Sequence, residues 1–132
     1  MRAIAMQRLR FAILGTGFWA QYQLSGWREL EGVECVAVYN RTRSKAEAVA
    51  RRFGIERVYD DAEELLSRER LDFVDVITDA GTHRRFVELA AARRLPVICQ
   101  KPMAESLEDA RAMESACREA GVPLLIHENW RW

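Results

Sequence analysis

Hydrophobic and polar positions follow two alternating patterns along this chain. Short runs of consecutive apolar residues are separated by longer stretches in which apolar residues recur every three or four positions. The consecutive runs predict β-strands buried on both faces, and the spaced positions predict amphipathic helices. The predicted strands cover residues 9–14, 33–39, 57–59, 73–77, 96–100 and 123–127.

Residues typical of helix ends mark the segments between the strands. Three pairs have the spacing of N-terminal caps and two glycines follow helical patterns: Ser44 with Glu47, Asp60 with Glu63, Ser106 with Asp109, and Gly54 and Gly121. The predicted helices cover residues 18–30, 44–53, 61–68, 82–93 and 107–120. Strands that alternate with helices predict an α/β fold, with a doubly wound parallel sheet of about six strands in a single domain.

Asp75 is the exception to the apolar strand pattern. It stands between Val74 and Val76 in a run that is otherwise hydrophobic. It could lie at a strand end or accept backbone hydrogen bonds, and the sequence leaves both interpretations open.

Composition restricts the class of protein. The 132 residues are enough for one ordinary domain, and 49% hydrophobic with 30% charged residues argues against a disordered or fibrous chain. Twenty basic and twenty acidic residues cancel, which gives no whole-chain attraction to nucleic acid or an anionic membrane. The apolar run within residues 1–8 is too short for the core of a signal peptide, and these residues are expected to form a disordered lead-in. Three cysteines in apolar settings, without a CxxC pair, predict small buried side chains in a cytoplasmic protein.

A glycine turn is the first motif with chemical meaning. Gly15-Thr16-Gly17-Phe18-Trp19-Ala20 follows a predicted strand and precedes a predicted helix, in the G-x-G-x-x-A pattern of a dinucleotide-binding Rossmann fold. Gly15 permits the tight turn, Gly17 allows a pyrophosphate to approach the backbone, and Ala20 allows close packing of helix on strand. The helix N-terminus would offer free N–H groups to the phosphates.

The end of the second strand bears on the choice of nucleotide. Asn40 lies 25 residues after Gly15, where an acidic residue that binds the ribose is expected, and Arg41-Thr42-Arg43 follow it. Without a carboxylate, these residues would accept a 2′-phosphate, so the sequence favours NADP over NAD. For Arg43 in particular, an ordinary solvated position before a helix remains the alternative.

Lys101 is one of only two lysines beside 18 arginines, and it follows a predicted strand. Lysine can release its proton whereas arginine cannot, which suits a group that contacts a reacting hydroxyl or carbonyl. An exposed loop lysine is the alternative. Thr78 and His127 also follow or end strands, and the carboxyl ends of parallel strands meet at one edge. His83 opens a helix, where capping or packing is the usual role, and the two histidines predict no metal site.

Together these residues resemble the N-terminal half of the glucose–fructose oxidoreductase/inositol dehydrogenase (Gfo/Idh/MocA) family, from about residue 9 to the end of the chain. Four segments carry the resemblance: the glycine turn, residues 39–42, residues 78–83, and Gln100-Lys101-Pro102 with the later His-Glu-Asn-x-Arg ending at Arg131. Two positions depart from the family pattern, since Asp79 replaces a usual proline and Gln100 a usual glutamate.

The resemblance implies an NAD(P)-dependent oxidoreductase that moves a hydride between nicotinamide and a sugar, inositol or related polyol. It implies that Lys101 contacts the reacting hydroxyl as the catalytic residue and that Asn129 and Arg131 line the substrate side. The residues expected to contact the cofactor are Gly15, Thr16, Gly17, Phe18, Trp19, Asn40, Arg41, Thr42, Arg43, Thr78, His83, Gln100 and Lys101.

Chain length qualifies this expectation. Members of the family carry a second α/β domain that supplies most of the substrate pocket, and no such domain follows within these 132 residues. The chain is therefore expected to bind a dinucleotide with little or no turnover. The alternative is a stand-alone, non-catalytic nucleotide-binding or interaction module. Trp130 and Trp132 favour it slightly, because an exposed apolar end promotes self-association and a homo-oligomer.

Overall fold

The computed structural model describes residues 7–131, without the side chain of Arg131. Most of the predicted lead-in at residues 1–8, and Trp132, lie outside the described residues. The described part of the chain contains no helix long and apolar enough to cross a membrane.

Within residues 7–131, six parallel strands form one open sheet, and five α-helices connect them. The strands are β1 (Leu9–Leu14), β2 (Val33–Tyr39), β3 (Arg57–Tyr59), β4 (Phe73–Val76), β5 (Val97–Gln100) and β6 (Leu124–His127). The helices are α1 (Ala20–Arg28), α2 (Arg43–Phe53), α3 (Ala62–Arg68), α4 (Ala80–Ala91) and α5 (Leu107–Ala120). The strand order β3-β2-β1-β4-β5-β6 confirms the predicted doubly wound α/β fold of Rossmann type.

Alternating side chains of the strands build a separate core on each face of the sheet. On one face, Phe11 and Ile13 of β1 pack with Leu24 of α1 and Ala46 of α2. On the other face, Leu14 and neighbouring strand residues pack with α3, α4 and α5. Burial on both faces explains why the strands read as continuous apolar runs.

The face that carries α1 and α2 has one helix fewer than the opposite face, so the sheet is open beside α1. A cavity of about 520 Å³ lies there, lined mainly by apolar side chains of α1, β5 and β6. Trp27 and Ile98 contribute to its walls, and Leu125 of β6 is 56% exposed.

Two helix starts differ from the prediction by two residues, and those of α2 and α3 differ by one. Helix α1 begins at Ala20 instead of residue 18, because Phe18 and Trp19 belong to the turn that follows β1. Helix α4 begins at Ala80 instead of residue 82, because Asp79 has extended backbone and serves as the N-cap. The strands agree with the prediction to within one residue.

The predicted caps of α2 and α3 were wrong, whereas that of α5 is confirmed. Ser44 lies inside α2, and Thr42 is the N-cap because the Asn40 side chain accepts a hydrogen bond from the Thr42 N–H (2.8 Å) and turns the chain earlier. Asp61, not Asp60, caps α3 by accepting from the N–H groups of residues 63 and 64. In α5, Ser106 caps as predicted by accepting from the Asp109 N–H (3.1 Å).

Gly54 and Gly121 end α2 and α5 in the left-handed conformation, with φ of 67° and 70°. Both were predicted from their place after the last apolar position of a helix. Glycine tolerates this conformation because it has no Cβ.

The cysteines are free in the described part of the chain. Burial raises the pKa of both Cys35 and Cys99 to about 12 and also raises that of Cys117. A thiol with so high a pKa forms little thiolate, so these side chains act as small packing groups rather than nucleophiles.

Asp75 lies within β4 and is fully buried, so it does not lie at a strand end. Its Oδ2 accepts hydrogen bonds from Trp27 Nε1 (2.7 Å) and Gln23 Nε2 (3.0 Å) of α1, whereas Oδ1 has no partner among the described residues. The hydrogen-bond donors to Asp75 are therefore side chains, and not the backbone N–H groups that the sequence suggested as one possibility. Desolvation raises the pKa of the Asp75 carboxyl, and the hydrogen bonds from Trp27 and Gln23 oppose that rise. The folded state therefore holds this proton more tightly than the unfolded chain does.

Asp75→Asn should be more stable than the wild type at neutral pH. The wild type loses stability as pH rises from the ordinary aspartate value of 3.8 through the raised folded pKa, because ionisation costs free energy only in the folded state. Asparagine keeps an acceptor for Trp27 and Gln23 but cannot ionise. Urea unfolding at a series of pH values should show an advantage that shrinks as pH falls towards 3.8. The exposed Glu31→Gln removes a carboxylate on the surface and serves as the control for the loss of charge, and an advantage of Asp75→Asn that grows on acidification would contradict the assignment.

Candidate functional site

The turn after β1 crosses the end of β4 at very close range. Gly15 has φ of 109°, and its N–H donates to the carbonyl of Tyr39 at the end of β2 (2.9 Å). A Cβ at Gly15 would lie 2.8 Å from the Thr78 nitrogen. Only glycine fits here, because both the positive φ and the contact exclude a side chain. This crossing brings the ends of β1, β2 and β4 together at one edge of the sheet.

The turn presents unused hydrogen-bond donors. Within residues 7–131, the N–H groups of residues 16–19 have no protein acceptor, and the first turn of α1 contains no acidic residue. Ala20 is fully buried, which agrees with the predicted close packing of α1 on the sheet. The helix dipole adds partial positive charge at the same place, so the turn is suited to an anionic group.

Thr16 supplies a further polar atom in the same turn. Its hydroxyl Oγ1 is buried and has no hydrogen-bond partner within the described residues. A buried hydroxyl without a partner is unfavourable unless a ligand or water completes it. Nothing meets a Cβ placed on Gly17 within 4 Å, so the backbone there is open to a ligand. Turn and hydroxyl together fit the phosphates of a dinucleotide.

A cleft of about 310 Å³ opens from this turn. Its walls come from the glycine turn, the end of β2, the start of α2, and the segment from the end of β4 into α4. The lining residues include Gly15, Thr16, Gly17, Tyr39, Asn40, Arg41, Thr42, Lys45, Thr78, Asp79, Thr82 and Arg85. Seven of the predicted cofactor residues thus lie around one cleft: Thr78, and with it Gly15, Thr16, Gly17, Asn40, Arg41 and Thr42.

Phe18 and Trp19 lie beside the cleft rather than in its wall. Phe18 is 72% exposed, and both rings pack against Tyr22 of α1, with ring centroids 5.4 and 5.3 Å away. These three side chains form an exposed aromatic surface at the N-terminus of α1.

Arg43 points away from the cleft. Its guanidinium pairs with Glu47 (3.2 Å) and Asp60 (3.7 Å), and it does not line the cavity. Lys45, which the sequence analysis did not select, does line it. The available signal was the rarity of lysine in this chain together with its position half a turn after Arg43. Arg85 was also missed; it lines the cleft from α4 with its guanidinium 5.5 Å from the Phe86 ring.

The segment after β4 forms a compact turn. Thr82 Oγ1 lies 2.8 Å from both Thr78 Oγ1 and the Asp79 carbonyl, and the Thr82 N–H also donates to that carbonyl. Asp79, which replaces the family's usual proline, is exposed and makes no side-chain cap. The turn holds Thr78 in the cleft wall.

His83 is 1% exposed and faces main-chain groups instead of the cleft. Its Nε2 lies 2.9 Å from the Thr78 carbonyl and its Nδ1 lies 3.1 Å from the Met103 carbonyl. Both ring nitrogens are thus occupied by the protein. Direct contact of His83 with a cofactor stays a prediction, and this geometry favours an indirect role.

Lys101 lies at the end of β5, the neighbour of β4 at the same sheet edge. It is exposed and lies outside the lining of the cleft. The Gln100 side chain accepts a hydrogen bond from the Lys101 N–H (2.9 Å) and its Nε2 lies 3.4 Å from His127 Nδ1 of β6. We call residues 101–105 the lysine loop; its first peptide bond, Lys101–Pro102, is cis.

The residues predicted for the substrate side follow β6. Asn129 is exposed and begins the short 3₁₀ helix Asn129–Arg131. Trp130 is 87% exposed, as the prediction of an apolar end requires, while its self-association stays a prediction. Within residues 7–131, no group of three or more His, Cys, Asp or Glu side chains is placed to hold a metal ion.

Comparison with known proteins agrees with this geometry. Residues 9–128 match the model of an oxidoreductase family with an NAD-binding Rossmann fold, GFO/IDH/MocA. The chain is 49% identical over 127 residues to the D-apiose dehydrogenase of Paraburkholderia graminis, a match that covers 96% of this chain and 34% of that protein. It is 33% identical over 117 residues to D-xylose 1-dehydrogenase (NADP(+)) 2 of Haloferax volcanii, with 89% and 36% covered.

A solved structure is similar over the same region. It is an oxidoreductase from Agrobacterium radiobacter in complex with NAD+, L-tartaric acid and magnesium, with a TM-score of 0.92 and 44% identity. The match covers 96% of this chain and 37% of that one. The chain therefore spans about a third of the length of these relatives.

Alanine at the two turn glycines should separate folding from ligand binding. Gly15→Ala forces a side chain into the Thr78 backbone at positive φ and should cost at least about 2 kcal/mol of unfolding free energy. Gly17→Ala meets no atom within 4 Å and should change stability by less than about 0.5 kcal/mol. Its methyl group would nevertheless stand where a phosphate approaches, so it should weaken dinucleotide binding. Urea unfolding and nicotinamide fluorescence measure the two effects, and a Gly17→Ala protein that binds normally would contradict the placement of the phosphates.

Proposed function

The chain belongs to the GFO/IDH/MocA oxidoreductase family as an NAD-binding Rossmann domain, and on that premise we propose that it is the cofactor-binding part of a sugar or polyol dehydrogenase. The observation that carries the proposal is the glycine turn. Its free N–H groups and the partnerless Thr16 hydroxyl open into a cleft lined by predicted cofactor residues. Since the chain spans about a third of its relatives, the activity and substrate of the whole protein are part of the proposal.

Each residue of the site has a proposed role in binding the cofactor. Gly15 shapes the turn, Thr16 and Gly17 bind the pyrophosphate, and Asn40, Arg41 and Thr42 face the adenosine ribose. Thr78 fixes the far wall of the cleft. When bound, the nicotinamide cofactor supplies the group that exchanges hydride with the carbinol carbon of the substrate.

Lys101 is the proposed proton-handling residue. It lies at the same sheet edge as the cleft, directly after the strand next to β4, and it is exposed. A lysine can hold a hydroxyl by hydrogen bonding and take up or release the proton of that hydroxyl. Gln100 orients the start of the lysine loop through the Lys101 N–H, and Asn129 and Arg131 are proposed to contact the substrate.

The substrate class follows from the relatives. The names D-apiose dehydrogenase and D-xylose 1-dehydrogenase both specify aldoses. A sugar of this kind, D-apiose first, is the proposed substrate, with a polyol as the broader class.

We further propose a preference for NADP over NAD. The wall at the end of β2 and the start of α2 contains Arg41 and Lys45 and no carboxylate that would repel a 2′-phosphate. Lys45 is the proposed second cation for the 2′-phosphate instead of Arg43, because the Arg43 guanidinium is paired with Glu47 and Asp60. The Agrobacterium radiobacter oxidoreductase was solved with NAD+, so NAD binding is the outcome to test against.

Arg41→Ala and Lys45→Ala should each weaken NADPH binding by roughly tenfold or more and change NADH binding less, because a charged hydrogen bond to phosphate contributes about 1.5–3 kcal/mol. Fluorescence titration with both nucleotides measures the ratio. Arg51→Ala removes the same charge from the last turn of α2 and serves as the control. Arg43→Ala should have a smaller effect than Lys45→Ala. Tighter binding of NADH than NADPH by the wild type would overturn the preference.

The 132-residue chain should bind the cofactor with little or no oxidation of D-apiose. Positioning of both reactants contributes most of the rate of a dehydrogenase, and Lys101 is exposed among the described residues rather than enclosed with a substrate. The assay follows the absorbance of the reduced nicotinamide with NADP+ or NAD+ and D-apiose. Turnover at an ordinary enzyme rate, about 1 per second or faster, would contradict this expectation.

A further inference from the structure

His83 is buried in the first turns of α4, and both of its ring nitrogens contact main-chain carbonyls. The Thr78 carbonyl lies 2.9 Å from Nε2 and the Met103 carbonyl lies 3.1 Å from Nδ1. A carbonyl can only accept a hydrogen bond. A ring with one proton donates to one of them, and a ring with two protons donates to both. In either state the histidine acts on the protein backbone and leaves no nitrogen for a ligand in the cleft.

The two carbonyls belong to the two parts of the proposed active site. Thr78 follows β4 and lines the cofactor cleft. Met103 lies in the lysine loop, two residues after Lys101. The imidazole therefore lies between the wall of the cleft and the loop that carries the proposed catalytic lysine, within hydrogen-bonding distance of both.

The lysine loop also packs against the start of α4 next to this histidine. A Cβ on Gly81 would lie 3.2 Å from the Glu105 carboxylate. The loop thus approaches α4 at Gly81 and at His83, and His83 provides the hydrogen-bonding contact. Val87, one turn further along α4, is fully buried among apolar residues and makes no such link.

We propose that His83 is a positioning residue that sets the place of Lys101 relative to the cofactor cleft. It donates a hydrogen bond to the Thr78 carbonyl, to the Met103 carbonyl or to both, and its ring fills the space between them. Loss of the imidazole releases the lysine loop while the cleft itself keeps its walls. The inference rests on the proposed function, in that the cleft and Lys101 are treated as two parts of one site.

The chain has only two lysines, Lys45 and Lys101, which allows a direct test. Selective carbon-13 labelling of lysine gives one side-chain NMR signal from the cleft and one from the lysine loop. In the unliganded full chain, His83→Leu should displace the Lys101 signal and leave the Lys45 signal in place. His83→Gln, which keeps an N–H donor, should bring the Lys101 signal back towards its wild-type position.

NADPH then tests the coupling. In the wild type both lysine signals should move on saturation, whereas in His83→Leu the Lys45 response should persist and the Lys101 response should be lost. Val87→Ala is the control for loosened packing of α4 and should leave both signals as in the wild type. If His83→Leu does not fold, His83→Gln alone should still displace the Lys101 signal more than Val87→Ala does.

Two results would overturn the inference. One is an unchanged Lys101 signal in a folded His83 variant, and the other is an equal displacement of both lysine signals. If neither NADPH nor NADH moves either signal in the wild type, the proposed function fails. The unliganded spectra of the variants still decide the role of His83 in that case.

Discussion

The close crossing of the glycine turn over the end of β4 is the constraint on which the site depends. The Gly15 Cα approaches the Thr78 backbone so closely that a single methyl group would lie 2.8 Å from the Thr78 nitrogen. This contact lets β1 leave the sheet between β2 and β4 and turn at once into α1. The N–H groups of residues 16–19 are therefore left without an acceptor in the part of the chain that the structure describes, at the point where the dipole of α1 begins. Anion binding at this edge is a consequence of how the chain must turn.

Two buried polar side chains, Thr16 and Asp75, differ in how their hydrogen bonds can be completed. A sheet covered on both faces has little room for unpaired polar atoms, and two such atoms stand out among the described residues, Thr16 Oγ1 and Asp75 Oδ1. Thr16 lies in the cleft, where a ligand can complete its hydrogen bonds. Asp75 lies deeper and instead ties α1 to the sheet through Gln23 and Trp27. Both oxygen atoms lack a hydrogen-bond partner among the described residues. At Thr16 a ligand can supply one, whereas at Asp75 the missing partner is a cost to folding.

Local charge matters more here than the zero net charge of the chain. Arg41, Lys45 and Arg85 line one cleft, while Asp79 is the carboxylate among its lining residues. Other arginines, such as Arg43 and Arg84, form ion pairs with acidic side chains on the surface. Ion pairing thus leaves Arg43 and Arg84 less available to a ligand, whereas Arg41, Lys45 and Arg85 line the cleft where a phosphate can bind.

The fold class, the six strands, the glycine turn and the helix-ending glycines followed from the sequence alone, because they depend on periodicity and on backbone conformations that only certain residues adopt. The sequence also placed Thr78 and Lys101 at one edge, since parallel strands end together. The packed structure was needed to show that Lys45 lines the cleft while Arg43 pairs with acids, and that Thr42 rather than Ser44 caps α2. It was also needed to show that Asp75 accepts hydrogen bonds from α1 and that His83 lies between the carbonyls of Thr78 and Met103. Each of these depends on a partner from another element or on competition between neighbouring caps, and a pattern of residue types along the chain does not specify which partner comes within hydrogen-bonding distance.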